Sequence, residues 1–177
     1  MSAPLRLRGW MIDAARLPET LAYYRRVVDM CAEWGYNAIL LRLTDDQGSA
    51  FRFRKHPRLL THENAFSAGE LRPFINYAES KGIMIIPEIE SFGHASYVAQ
   101  SPDYAHLRDS MPDGSEGMTG LIPVHPETLA LMADLYQEVA EAFPSPYLHG
   151  GCDEVNWGGS EMSRKALKGR NRASVWA

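Results

Sequence analysis

The sequence predicts an α/β fold in which parallel strands alternate with crossover helices. Three observations carry this. Short apolar runs alternate with longer segments of helical periodicity. The runs are apolar at nearly every position, as in strands covered on both faces. Each run also ends in acidic side chains, which gives the strands a common polar edge. The size agrees: 177 residues, 45 % apolar and 23 % charged, suit one domain with a real core.

Taken in order, "LRGWMIDAA" (7–15) reads as the first strand. Pro18 offers a helix start, after which Leu21, Tyr24, Val28 and Cys31 recur at helical spacing until Gly35. "NAILLRLTD" (37–45) is the second strand. "SAGE" (67–70) has the spacing of a capping box and opens the helix "LRPFINYAESKG". "IMIIPEIE" (83–90) is the third strand. "PETLALMADLYQEVAEAF" (126–143) is the clearest helix, with Leu129, Met132, Tyr136, Val139 and Phe143 along one face. "YLHGGCDE" (147–154) is the fourth strand. Strands joined this way pair in parallel through right-handed crossovers. No internal repeat or low-complexity linker divides the chain, so residues 1–177 read as one domain.

Composition narrows the function. The net charge of −4 argues against a nucleic-acid partner, and no Lys/Arg block suits an anionic membrane. The N-terminus lacks the apolar core of a signal peptide and no segment approaches a membrane span, so a cytoplasmic location is expected. Two cysteines are too few for a disulfide framework. Cys31 reads as a buried thiol, and Cys152 as a packing residue rather than a nucleophile.

The strand ends carry Asp13, then Asp45 and Asp46, then Glu88 and Glu90, then Asp153 and Glu154. The C-terminal edge of a parallel sheet is where α/β proteins bind ligands. One such acid is an ordinary turn residue, whereas four strand ends in a row favour a shared acidic cleft. Asp153 and Glu154 are adjacent, so on a regular strand they would face opposite ways. Gly150 and Gly151 before them, and Gly158 and Gly159 after, allow the backbone to turn and bring both into one pocket. Like charges there raise one pKa, which suits a general acid beside an anionic stabiliser, the logic of glycoside hydrolysis. His94 lies on the same edge and can join Asp45 and Glu154 in a carboxylate–histidine–carboxylate chain. Trp157 and Tyr97 can stack on sugar rings or simply pack. His125 and His149 read as structural. A metal site ranks second, because no HxH, HExxH or CxxC spacing is present.

"RGWMIDAAR", "LTDDQG", "FGH" and "HGGCDEV" stand in the order seen in glycoside hydrolase family 20, and the chain resembles that family. "SFGHASYVAQSPDYAHLRD" with "LHGGCDEVNW" is similar to its hexosaminidase D-like branch. The resemblance implies a (β/α)8 TIM barrel, of which this chain would be the N-terminal half, cut after the fourth strand. It implies removal of terminal N-acetyl-hexosamine from a glycoside by a retaining, substrate-assisted reaction through an oxazolinium, with no cofactor and no metal. Glu154 would be the general acid/base and Asp153 would orient the acetamido group. Arg8 would hold ring hydroxyls, and Asp45 and His94 would form the relay behind the acid. Three departures stand against full activity. "DDQGSA" lacks the aromatic that often follows the glycine, Asn156 stands where many members have His, and the later tyrosine, acid and tryptophans of the sugar pocket have no counterpart. The expectation is therefore weak or absent turnover. Open strand edges should make the chain marginal alone, or pair it with a second copy or a complementing half-barrel. The rival classes are a non-catalytic carbohydrate-binding or assembly module and a metal-dependent hydrolase.

Overall fold

The computed structural model describes residues 5–175. Strand β1 (Gly9–Asp13) pairs in parallel with β2 (Ala38–Arg42), and β2 with β6 (Met84–Glu88). The register is unbroken: Met11, Leu40 and Ile86 form one row, and Asp13, Arg42 and Glu88 form the row at the C-terminal edge. Both rows lie on one face, because side chains alternate along a strand. Ile39, Leu41 and Ile85 point the other way, into the main core with Tyr24, Val28, Phe74 and Leu135. The first face instead lines an open apolar groove of about 430 Å³ together with Leu148.

Helices cover the core face. α1 (Leu21–Glu33) is capped by Thr20, whose hydroxyl accepts from Tyr23 N–H, and it buries Tyr24, Val28 and Cys31. α2 (Ala68–Ser80) starts with both arms of the expected capping box: Ser67 N–H donates to Glu70 at 2.8 Å, and Glu70 N–H donates to Ser67 Oγ at 3.3 Å. Between β2 and α2 lies structure that the sequence did not announce. β3 (Thr44–Asp45) turns back antiparallel onto β4 (Gly48–Phe51), which pairs in parallel with β5 (Thr61–Phe66). A short helix α3 (Ser96–Ala99) follows β6.

α4 (Pro126–Ala142) begins on proline as expected, but its buried face is rotated. Leu131, Met132, Leu135, Val139 and Ala142 are buried, whereas Leu129 is exposed. Buried Glu138 is the reason. Its carboxylate accepts Arg54 N–H at 2.7 Å and Lys55 N–H at 3.3 Å, so the β4–β5 connection sits on this side of the helix.

The expected fourth strand is reduced to a single bridge. His149 N–H donates to Pro87 C=O at 2.9 Å and Ile89 N–H to His149 C=O at 3.0 Å, in parallel sense. Gly151 then takes φ +62° and the chain leaves the sheet. α5 (Glu161–Leu167) ends the described fold with a short 3₁₀ turn. Among the described residues, no helix is long and apolar enough to cross a membrane.

Candidate active site

The last residue of β2 places a guanidinium in the middle of the acidic edge. Arg42 Nη1 lies 2.8 Å from Asp45, while Nη2 lies 2.9 Å from Glu90, 3.2 Å from Glu88 and 3.9 Å from Asp153. Burial works against its charge, but the hydrogen bond to Glu88 and the charge of Glu88 outweigh it and raise the Arg42 pKa further. Arg16 adds a second cation 3.1 Å from Asp45. His149 Nδ1 lies 3.1 Å from Glu88, so this histidine borders the cleft rather than hiding in a strand.

Glu90 is the neutral acid of the cluster. Burial first, and then the hydrogen bond and charge of Asp153, push its pKa up to about 8 despite Arg42. At neutral pH it therefore donates to Asp153. Burial alone would raise the Asp153 pKa, but the Glu90 hydrogen bond, with His94 and Arg42, takes it below the usual carboxylate value.

His94 joins the two halves of the cleft. Nδ1 lies 2.9 Å from Asp46, which also accepts from Ser96 Oγ at 2.8 Å. Nε2 lies 3.2 Å from Glu154 and 3.7 Å from Asp153. Burial lowers its pKa, but the Asp46 hydrogen bond and the surrounding carboxylates raise it more. Asp153 and Glu154 thus converge on one imidazole nitrogen while staying open to solvent, with side chains 55 % and 78 % exposed. Convergence is possible because the strand has ended: Cys152 and Glu154 take φ +75° and +48°. Gly93 makes room, since a Cβ there would lie 2.3 Å from the Asp153 carbonyl oxygen.

Several expected residues are placed differently. Asp45 is 3.9 Å from His94 Nδ1 and faces Arg42 and Arg16, so the carboxylate bonded to His94 is Asp46. Successive side chains diverge, and periodicity could not choose between two adjacent aspartates. Arg8 lies at the opposite end of β1, where Nε donates to Gly35 C=O and Nη1 to Leu5 C=O, each at 2.7 Å. Trp157 is 2 % exposed and has no free face for a sugar, because its loop turns inward against residues 107–121. Tyr97 is fully buried and donates to Glu90 C=O at 2.7 Å. Cys152 is exposed rather than packed. Nothing in the sequence singles out Arg42, because a cation inside an apolar run reads as an interruption of the pattern.

Asp45, Asp46 and His94 could offer a cation three ligand atoms within 4.8 Å of one another. The donor set does not favour one. His94 Nδ1 is committed to Asp46, and two arginines already compensate Asp45.

Fold and site together define an α/β protein with an acid–base cleft at the C-terminal edge of a parallel sheet, a carboxylate dyad at its mouth. The chain belongs to glycosyl hydrolase family 20: the family's catalytic-domain model matches residues 6–177. It is 31 % identical to hexosaminidase D of Homo sapiens over 169 residues, covering 94 % of this chain and 33 % of that protein. A beta-hexosaminidase of Akkermansia muciniphila is 29 % identical over 192 residues, covering 95 % of this chain and 38 % of that one. Among solved structures, a Flavobacterium johnsoniae chitobiase superposes with a TM-score of 0.81 at 28 % identity, over 93 % of this chain and 27 % of the other. The chain spans roughly a third of the length of these relatives.

Proposed function

We propose that this chain carries the acid–base half of a β-N-acetylhexosaminidase barrel, acting on glycosides that end in N-acetyl-hexosamine by a retaining, substrate-assisted route. The observation that supports it best is His94, which faces Glu154 at 3.2 Å and Asp153 at 3.7 Å with Asp46 behind it at 2.9 Å. In this reading Glu154 protonates the glycosidic oxygen as the bond to the aglycone breaks. Anionic Asp153 accepts the acetamido N–H and aims the amide oxygen at the anomeric carbon, closing an oxazolinium ring. A protonated His94 steadies the Glu154 carboxylate left behind. Glu154 then takes a proton from water, which opens the ring and restores the acid. Neutral Glu90 keeps Asp153 charged throughout.

The half-barrel part of the proposal rests on the open sheet. Among the described residues β1 pairs only with β2, and the groove lined by Met11, Leu40, Ile86 and Leu148 is apolar and uncovered. A second set of strands there would close the barrel.

Turnover of a chromogenic N-acetyl-hexosaminide tests both parts. The chain alone should turn over weakly, and Glu154→Gln should remove about 10²–10⁴-fold of whatever rate is present, the usual contribution of a general acid. A rate that Glu154→Gln leaves unchanged refutes the assigned chemistry. Robust turnover by the chain alone refutes the half-barrel.

A further inference from the structure

We propose that Asp109 is the positioning residue that holds the Asp153–Glu154 segment against His94. The proposal rests on the reading above, in which that dyad carries the chemistry.

The dyad has no scaffold of its own. Residues 150–160 form neither helix nor strand, apart from bends. Within eight of those residues Gly151, Cys152, Glu154 and Gly158 all have positive φ, of 62°, 75°, 48° and 112°. A non-glycine residue in the left-handed region costs on the order of 1–2 kcal/mol. Something outside the segment must therefore impose this path.

Asp109 lies opposite it and is 1 % exposed. Its Oδ2 accepts Gly158 N–H and Ser163 Oγ–H, each at 2.7 Å. Its Oδ1 accepts Ser160 N–H and its neighbour Ser110 N–H, each at 2.8 Å. Three of the four donors belong to residues 158–163, directly after the dyad. No lysine or arginine pairs with Asp109 among the ion pairs of the described residues, so its partners are directional N–H and O–H donors. The two backbones also touch without side chains between them. A Cβ on Gly120 would lie 2.0 Å from Asn156 C=O, and one on Gly159 1.9 Å from Met111 C=O. Any shift of Asp109 therefore passes directly to the segment, which Gly93 confines from the other side.

Asp109→Asn keeps the shape but turns an amide N–H₂ toward N–H donors. Two readouts that need no turnover decide the matter: amide hydrogen exchange over residues 150–160, and the NMR titration of the His94 ring. In Asp109→Asn, exchange at Gly158 and Ser160 should rise about tenfold, the loss of about one net hydrogen bond each. The His94 midpoint should also fall, because Asp153 leaves while Asp46 stays. A His94 titration that stays at the wild-type value, with or without faster exchange, would overturn the proposal, since Asp109 would then be only a local cap. If Asp109→Asn does not fold, Ser163→Ala removes a single donor and is read the same way: a fall in the His94 midpoint supports the role and its absence overturns it. A chain without turnover leaves these readouts intact, so failure of the enzymatic reading is told apart from failure of this one.

Discussion

Arg42→Ala should destabilise the chain by about 3–5 kcal/mol, the usual cost of removing one partner from a buried ionic cluster. The guanidinium is the counter-charge of Asp45 and Glu88 and lies against the neutral Glu90, all three buried, at 2.8, 3.2 and 2.9 Å. Alanine leaves these acids facing one another at the sheet edge. The chain can respond by admitting water or by letting the ends of β2 and β6 separate, and each costs free energy. Net stabilities of about 5–15 kcal/mol are usual for whole domains, so a chain near the low end would lose most of its folded population. Arg42→Lys should fall between wild type and alanine, because one ammonium cannot replace a fork that reaches Asp45 through Nη1 and two glutamates through Nη2. Urea denaturation followed by circular dichroism measures the loss. A cost below about 1 kcal/mol for alanine would mean that the cluster is not organised around Arg42.

How far the sequence could be read depends on whether a signal was local. The α2 capping box and the Pro126 start of α4 were legible, because each is set by neighbours in sequence. So was the gathering of acids at one edge, since parallel strands of matched register end together. Choices made by tertiary contact were not legible. Leu129 has the right spacing for the core, yet Glu138 draws the other side of α4 inward by capping Arg54 and Lys55. The segment 48–66 is broken by charges and by Pro57, so no period revealed β4 and β5. "YLHGGCDE" has strand composition, but Gly151 releases it after one bridge. At the site, the convergence of Asp153 and Glu154 could be argued from flanking glycines. The exchange of Asp45 for Asp46, the absence of Arg8 and the presence of Arg42 depend on which way a side chain points at the end of a strand.

Stability should peak near pH 5 and decline as the pH rises to 8, and Glu90 should cause most of the decline. Its carboxyl sits at about 8 in the folded chain against an ordinary 4.5. Between those values the folded state keeps a proton that the unfolded chain releases. The unfolded state then binds fewer protons, and stability falls by up to about 1.4 kcal/mol per pH unit for one such group. His94 acts in the same direction: its pKa is raised, so its contribution is complete below the unfolded value and is lost as pH climbs through the folded one. Asp153 acts oppositely at the acid end, because its lowered pKa gives stability above the ordinary 3.8 that is lost as pH falls through the folded value. The window between these effects lies near pH 5. Glu90→Gln tests the assignment, since glutamine keeps a neutral donor toward Asp153 but has no proton to lose. Its melting temperature should change little from pH 5 to 8 beyond the His94 share, while the wild-type value drops. Melting curves at pH 5, 6.5 and 8 for both chains decide it. A wild-type melting temperature that climbs over this range, or a variant that keeps the wild-type slope, would place the proton elsewhere. The charge on Asp153 would then need a different explanation, and with it the part of the proposed reaction that depends on an anion beside the acetamido group.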